Sequence, residues 1–293
     1  MIVRRGGPSA AGQVYDVVQA AFKARPALDP PGDALSETPE SLAGLLSGSG
    51  GLLAESGGEA VGTLVLDRNG DWLWLRRVGV LPGRRGHGGA RELVAEAEQI
   101  AAELGCVGVR LVAREELPQT VQFWTSLGYA EVARTSPYLE LAKRLPVTVV
   151  LPDLDATASL GARLAGLLTA GDLIILSGGL GAGKTTLTQS LGRALGVRGG
   201  VTSPTFVIAR VHPGPLPLVH VDAYRLGDAA ELDDLDLDTD LDAAVTVVEW
   251  GSGLAESLAE DRLEIALTAD PLTESRTAVI TPRGARWVDA YPS

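Results

Sequence analysis

Hydrophobic and polar positions change their period several times along the chain, and each change marks an element. From residue 11 to 24 the apolar positions Val14, Val17, Val18 and Phe22 recur at helical spacing, and Pro26, Pro30, Pro31 and Gly32 end the run in a loop. Three strand-like runs follow, Gly51 to Ala54, Ala60 to Leu66 and Trp72 to Leu81, with Asp67, Arg68, Asn69 and Gly70 as the hairpin turn between the last two. A glycine-rich loop then opens an amphipathic helix, Ala90 to Leu104, which Gly105 stops. A strand over 106–113, a helix over 117–127 and two closing strands complete an α+β half. At Leu145 and Pro146 the pattern restarts. A strand, Val147 to Leu151, precedes a helix over 155–169, and the run Asp172 to Ser177 leads through a second glycine-rich loop into the helical stretch Thr186 to Leu195. Apolar strands Leu216 to Val221 and Ala244 to Val248 follow. Strands and helices alternate here, which predicts an α/β fold with a mainly parallel sheet. The reading is two domains, 1–146 and 147–293.

Length agrees, since 293 residues exceed the usual domain of roughly 100–200. No apolar run approaches the ~18 residues that would span a bilayer, and Arg4 and Arg5 are followed by Gly, Pro, Ser and Ala, unlike a secretory h-region. A soluble, cytoplasmic protein is expected. The single cysteine, Cys106, excludes an internal disulfide and a thiolate zinc cluster, and its flanks suggest a packing role. A formal charge of -12 disfavours free-standing affinity for phosphate backbones, so any RNA contact should come through a partner that supplies the basic surface. Much of the acidity lies in Asp228, Glu231, Asp233, Asp234, Asp236, Asp238, Asp240 and Asp242, read as a solvated face.

The sharpest chemical signal is GGLGAGKT, Gly178 to Thr185, which fits GxxxxGKT between an apolar strand and a helix. Glycines let successive amides face phosphates, Lys184 reaches the outer phosphates, Thr185 offers a hydroxyl to Mg²⁺, and the helix N-terminus adds a favourable field. In a chain whose lysines are Lys23, Lys143 and Lys184, chance explains such a match only on the order of a percent of the time. Gly178, Leu180, Gly181, Ala182, Gly183, Lys184, Thr185 and Thr186 are therefore expected to hold ATP. Asp222 and Glu249 each end an apolar strand, and in a parallel sheet such ends gather beside the phosphate loop. They are the candidates for holding metal and the attacking water.

Gly178 to Thr186, then Ser203, Pro204 and Thr205, then His220 to Leu226 (HVDAYRL), then Val248 to Trp250 (VEW), resemble the ordered motif set of the TsaE family, over about residues 147–285. Thr157, Leu160 and Gly161 in the preceding helix resemble it too. The resemblance implies a P-loop ATPase of the bacterial machinery that makes threonylcarbamoyladenosine in tRNA, working with TsaD and TsaB. By it, Lys184 binds phosphate, Thr185 and Glu249 hold Mg²⁺, Asp222 positions or activates water or the metal, and Ser203 to Thr205 form a switch-like loop. Gly179 stands where many members carry Asp. Trp250 is expected to stack on the nucleotide base or to pack.

In the N-terminal half, Val78 to Ala90 ends in Arg85, Gly86, His87, Gly88, Gly89 and Ala90, which resembles the RxxGxG/A loop of GNAT acetyltransferases, and Phe123, Trp124, Leu127, Gly128 and Tyr129 resemble that family's FYxxxGF segment. The implied fold is an acyltransferase α+β domain. Val78, Val80, Arg85, Gly86, Gly88 and Ala90 would then contact acetyl-CoA, with Val80 supplying the amide that polarises the thioester carbonyl. Trp124 stands where many members place the tyrosine that protonates the thiolate, which an indole cannot do. Tyr129 or Tyr138 could substitute, and no acidic residue stands out as base. Two further readings stay open. One is a P-loop kinase using Asp222 as base, which leaves the Ser203 and Glu249 segments without a role and lacks an arginine-rich lid. The other makes the N-terminal half a non-catalytic acyl-CoA-binding or docking module.

Overall fold

A computed structural model describes residues 1–204, 208–228, 231 and 242–290. Thr205, which closes the SPT segment, and Asp233, Asp234, Asp236, Asp238 and Asp240 of the acidic stretch lie outside the described residues. The chain divides into two compact units, Met1–Leu145 and Pro146–Ser293.

The first unit is built on seven strands: β1 (Ile2–Gly6), β2 (Gly51–Ser56), β3 (Glu59–Asn69), β4 (Trp72–Val80), β5 (Gly108–Arg114), β6 (Ala130–Thr135) and β7 (Tyr138–Arg144), in the order β1-β2-β3-β4-β5-β7-β6. All neighbours are antiparallel except β4 and β5. Period-two alternation sends Leu52 and Leu64 to one face and Leu53 and Val65 to the other. Both faces are covered. Helices α1 (Ala11–Lys23) and α2 (Pro39–Leu46) bury Val14, Val18, Leu42 and Leu46 on one side, while α3 (Gly89–Glu103) buries Leu93, Ala97 and Ala101 on the other, where Trp124 of α4 (Pro118–Thr125) also packs. β1 and α2 were not foreseen, because β1 carries two arginines and α2 is a short helix begun by a Thr38/Ser41 capping box. The expected turn at Asp67–Gly70 is shifted: Asp67 to Asn69 continue β3, since their pairing with Trp72 to Trp74 extends the ladder, and Gly70 at φ +59 starts the reversal. Cys106 is buried as expected, two residues ahead of β5.

β4 and β5 pair only from Trp72–Leu75 to Gly108–Leu111, although both strands continue, to Val80 and Arg114. The sheet therefore splays open beyond Leu75 and leaves backbone groups of β4 facing a cleft.

The second unit has the strands β8 (Val147–Leu151), β9 (Leu173–Ser177), β10 (Ala209–His212), β11 (Leu218–Asp222), β12 (Val245–Glu249), β13 (Arg262–Ala269) and β14 (Arg276–Arg283), ordered β10-β11-β12-β9-β13-β14-β8. The central four, β11, β12, β9 and β13, are parallel, and the flanking strands are antiparallel. Helices α5 (Leu154–Ala165) and α6 (Lys184–Ala194) cover one face with Leu160, Leu164, Leu187 and Leu191, and a short C-terminal helix α7 (Arg286–Asp289) adds the buried Trp287. Gly161 lets α5 and α6 approach closely, because a Cβ there would stand 2.7 Å from Ser190 Cβ.

Candidate functional site

The turn from β9 into α6 is the centre of the C-terminal site. Gly178, with φ +136, leaves no room for a side chain, since a Cβ would meet the Leu267 carbonyl oxygen at 2.2 Å. Gly181 and Gly183 take φ +76 and +102, Ala182 is buried, and Leu180 is exposed at the crest, so Leu180 can offer a ligand its amide but no enclosing side chain. Gly183 ends the loop, and Lys184, Thr185 and Thr186 form the first turn of α6. Free amides of that turn and the helix dipole favour an anion.

Parallel pairing brings the acids to this edge. Asp222 pairs with Glu249 and Glu249 with Leu176, one residue before the end of the loop strand. Glu249 is only 2% exposed. His220 Nε2 donates to its Oε1 at 2.7 Å and Thr188 Oγ1 lies 3.2 Å from the same oxygen, while Thr185 Oγ1 donates to Oε2 at 2.8 Å. One carboxylate oxygen is thus anchored in the protein and the other turned to the loop hydroxyl. Asp222 is 6% exposed and accepts from the Tyr224 amide at 3.1 Å. Its own amide donates to the Ile208 carbonyl at 2.8 Å, and the Ile208 amide bonds Pro204, which ties the SPT segment to this strand.

Lys184 Nζ donates to the carbonyls of Gly178 and Gly179 at 2.8 and 3.0 Å. Burial pulls its ammonium below the usual lysine value against the opposing influence of Glu249 and Asp222. Trp250, at φ +62, has Lys184 Nζ 3.6 Å from its ring centroid and the Tyr224 ring centroid 5.1 Å away.

One basic residue at this site gave no signal in the sequence. β14 runs antiparallel to β13, so its first residue, Arg276, lies at the edge that holds the loop. A Cβ on Gly183 would come within 3.2 Å of Arg276 Cδ and 3.4 Å of its Nε.

In the N-terminal unit, Val78 and Val80 lie on the splayed part of β4, and Arg85 to Ala90 run into α3 through Gly86 and Gly88 at φ +80 and +84. Arg85 Nη2 donates to the Ala21 carbonyl at 3.3 Å. His87 is exposed and bonds the Arg85 carbonyl. The two tyrosines that could substitute stand in different surroundings. Tyr129 is buried under Trp124, its hydroxyl donates to Glu98 at 3.1 Å, and burial followed by the Glu98 charge raises it well above the usual tyrosine value, so it is sealed off and too weak an acid. Tyr138 starts β7 beneath the Arg114 guanidinium, at the end of β5. Trp124 is a core residue.

The comparisons fit this geometry. Residues 151–278 match the family "Threonylcarbamoyl adenosine biosynthesis protein TsaE", and residues 15–129 match "Acetyltransferase (GNAT) family". The tRNA threonylcarbamoyladenosine biosynthesis protein TsaE of Streptomyces coelicolor is 60% identical over 139 residues, 45% of this chain and 93% of that protein. Its counterpart from Mycobacterium tuberculosis is 50% identical over 141 residues, 45% of this chain and 84% of that protein. Among solved structures, the PaiA N-acetyltransferase of Thermoplasma acidophilum in complex with coenzyme A is 15% identical, with a TM-score of 0.45 over 49% of this chain and 98% of that chain. With the motif set of Gly178 to Trp250 assembled at one sheet edge, the chain belongs to the TsaE family through its C-terminal unit and carries a GNAT-family acetyltransferase domain ahead of it.

Proposed function

We propose that the C-terminal unit binds and hydrolyses Mg-ATP as the TsaE component of tRNA N6-threonylcarbamoyladenosine biosynthesis, and that the N-terminal unit transfers acetyl groups from acetyl-CoA to an amine. The observation that carries the first part is the approach of Glu249 Oε2 to Thr185 Oγ1 at 2.8 Å beside the phosphate loop.

These donors suit Mg²⁺. They are hard oxygens, one carboxylate and one hydroxyl, and the described residues hold no group of three or more His, Cys, Asp or Glu that would form an all-protein metal site. Mg²⁺ prefers such a pair completed by substrate phosphates and water. When bound, it neutralises charge on the outer phosphate oxygens. The protein's own residues do the rest. Loop amides and the α6 N-terminus cradle the phosphates, and Lys184 exchanges its loop carbonyls for phosphate oxygens. Arg276 adds a guanidinium on the β14 side of Gly183. Asp222 orients the attacking water. His220 and Thr188 fix the Glu249 carboxylate so that Oε2 faces Thr185. Trp250 caps the Lys184 ammonium and can shield it until phosphate replaces that contact.

Acidic charge supports action on tRNA through TsaD- and TsaB-like partners rather than by direct grip. No helix among the described residues is long and apolar enough to cross a membrane, which is compatible with a cytoplasmic site of action. In the N-terminal unit, Val80 would offer its amide to the thioester carbonyl, and the loop from Arg85 to Ala90 would take the pyrophosphate.

The test is mass spectrometry of tRNA nucleosides from cells lacking this protein, rescued by the full chain or by Lys184→Ala. Restored threonylcarbamoyladenosine with the first and none with the second is expected. A modification level that never falls on deletion refutes the assignment.

A further inference from the structure

The loop that follows α1 roofs the cleft between β4 and β5, and arginines tie it to both strands. Arg77 of β4 holds Asp33 through two bonds of 3.1 and 3.0 Å and Glu37 through one of 2.7 Å. Arg114 of β5 donates to the carbonyls of Asp29 and Pro30, both at 2.9 Å, and pairs with Glu116 at 2.8 Å. Asp33, Glu37 and Glu116 are thereby paired. Arg25, in the same loop, is the exception. Its guanidinium lies 3.7 Å over the Phe22 ring and donates to the Val78 carbonyl at 3.1 Å, yet no carboxylate among the described residues pairs with it. The other guanidinium nearby is Arg85, which reaches the Ala21 carbonyl on the same helix end. Burial and then the Arg85 charge lower Arg25 to about 10. A part-buried guanidinium with no carboxylate beside it is unfavourable unless an anion joins it.

We infer that Arg25 binds a carboxylate of the acetyl acceptor, so that the acceptor is an amine that itself carries a carboxylate. This rests on the acetyltransferase reading of the N-terminal unit. Val78 lies two residues before Val80, on the free stretch of β4 where the thioester would bind, and Arg25 sits on its carbonyl. A guanidinium there orients the acceptor through a fork of donors while the neutral amine attacks. The amine nitrogen forms a C–N bond to the acetyl carbon, the C–S bond breaks, the nitrogen loses its proton, and the departing thiolate takes one up to leave CoA thiol and an amide. Arg25 acts on binding and takes no proton.

The test uses the full chain. Isothermal titration measures acetyl-CoA binding, and release of CoA thiol is followed with glycine, alanine, glutamate and lysine, each compared with its carboxamide. Wild type should favour the free acids, and Arg25→Gln should lower kcat/KM for them roughly 10- to 100-fold, chiefly through KM, with acetyl-CoA affinity and carboxamide turnover unchanged. Arg25→Lys should recover part of the loss. Carboxamides turned over as well as acids by wild type would overturn the inference without reference to any variant. So would acetyl-CoA binding with no turnover of any carboxylated amine. Loss of acetyl-CoA affinity in Arg25→Gln would assign the guanidinium to a CoA phosphate instead. Wild type that fails to bind acetyl-CoA would remove the acetyltransferase reading itself, and this inference with it.

Discussion

Replacement of Glu249 by glutamine separates what this side chain does for the fold from what it does for hydrolysis. The amide matches the carboxylate in shape, and its oxygen will take the Oε1 position, where the His220 donor waits at 2.7 Å. Its NH₂ then falls at Oε2, 2.8 Å from a Thr185 hydroxyl that can rotate to accept. The hydrogen bonds survive without charge assistance, which costs about 1–2 kcal/mol of stability. The metal seat fares worse, because a donor NH₂ replaces the one anionic oxygen aimed at the loop. Losing one preorganised electrostatic group at a reacting centre typically lowers kcat about 10²- to 10³-fold, or roughly 3–4 kcal/mol. Phosphate release should therefore collapse at every Mg²⁺ concentration, while metal-free ATP binding, measured by isothermal titration, stays near wild type. Wild-type turnover by Glu249→Gln at saturating Mg²⁺ would refute the role given to Oε2.

Arg276→Ala should weaken ATP binding roughly tenfold, the worth of one charge-assisted contact to phosphate, and lower turnover, with the melting temperature little changed. Unaltered ATP affinity in titration would take Arg276 out of the site. Burial, with smaller contributions from His220 and Arg210, holds His212 below its ordinary value of 6.5. A lowered folded value means that the unfolded chain binds protons first, so stability is lost as pH falls from 6.5 toward the lowered value and is unaffected above 6.5. The calorimetric transition that ATP shifts should therefore drop less steeply below pH 6.5 in His212→Leu than in wild type. Parallel slopes would show that another group is responsible.

Both glycine-rich loops were legible in the sequence, because a loop between strand and helix is a local pattern that the chain must spell out residue by residue. Gly178 and Gly183 need positive φ, and Lys184 and Thr185 must follow at once on the first turn. Asp222 and Glu249 were legible for a related reason, since an acid at the end of a buried apolar strand is a visible break in pattern. What the sequence could not show is how charges meet across long separations. Arg276 follows the loop by more than ninety residues, and only the antiparallel turn of β14 onto β13 returns it to Gly183. His220 reads as one more strand residue until its pairing with Val247 brings its ring within reach of Glu249, two residues further along β12.

The same limit explains the N-terminal unit, where Arg25, Arg77 and Arg114 look alike as isolated basic residues. Their difference is one of partners. Arg77 and Arg114 are neutralised by Asp33, Glu37 and Glu116, and so they work as struts for the loop over the cleft. Arg25 meets a carbonyl and a second guanidinium, and so its charge is left for something else to answer. A strut and a ligand-binding arginine cannot be told apart by residue type or spacing. They are told apart by whether the protein itself supplies the opposite charge, and at the mouth of the β4–β5 cleft it does so for two arginines out of these three.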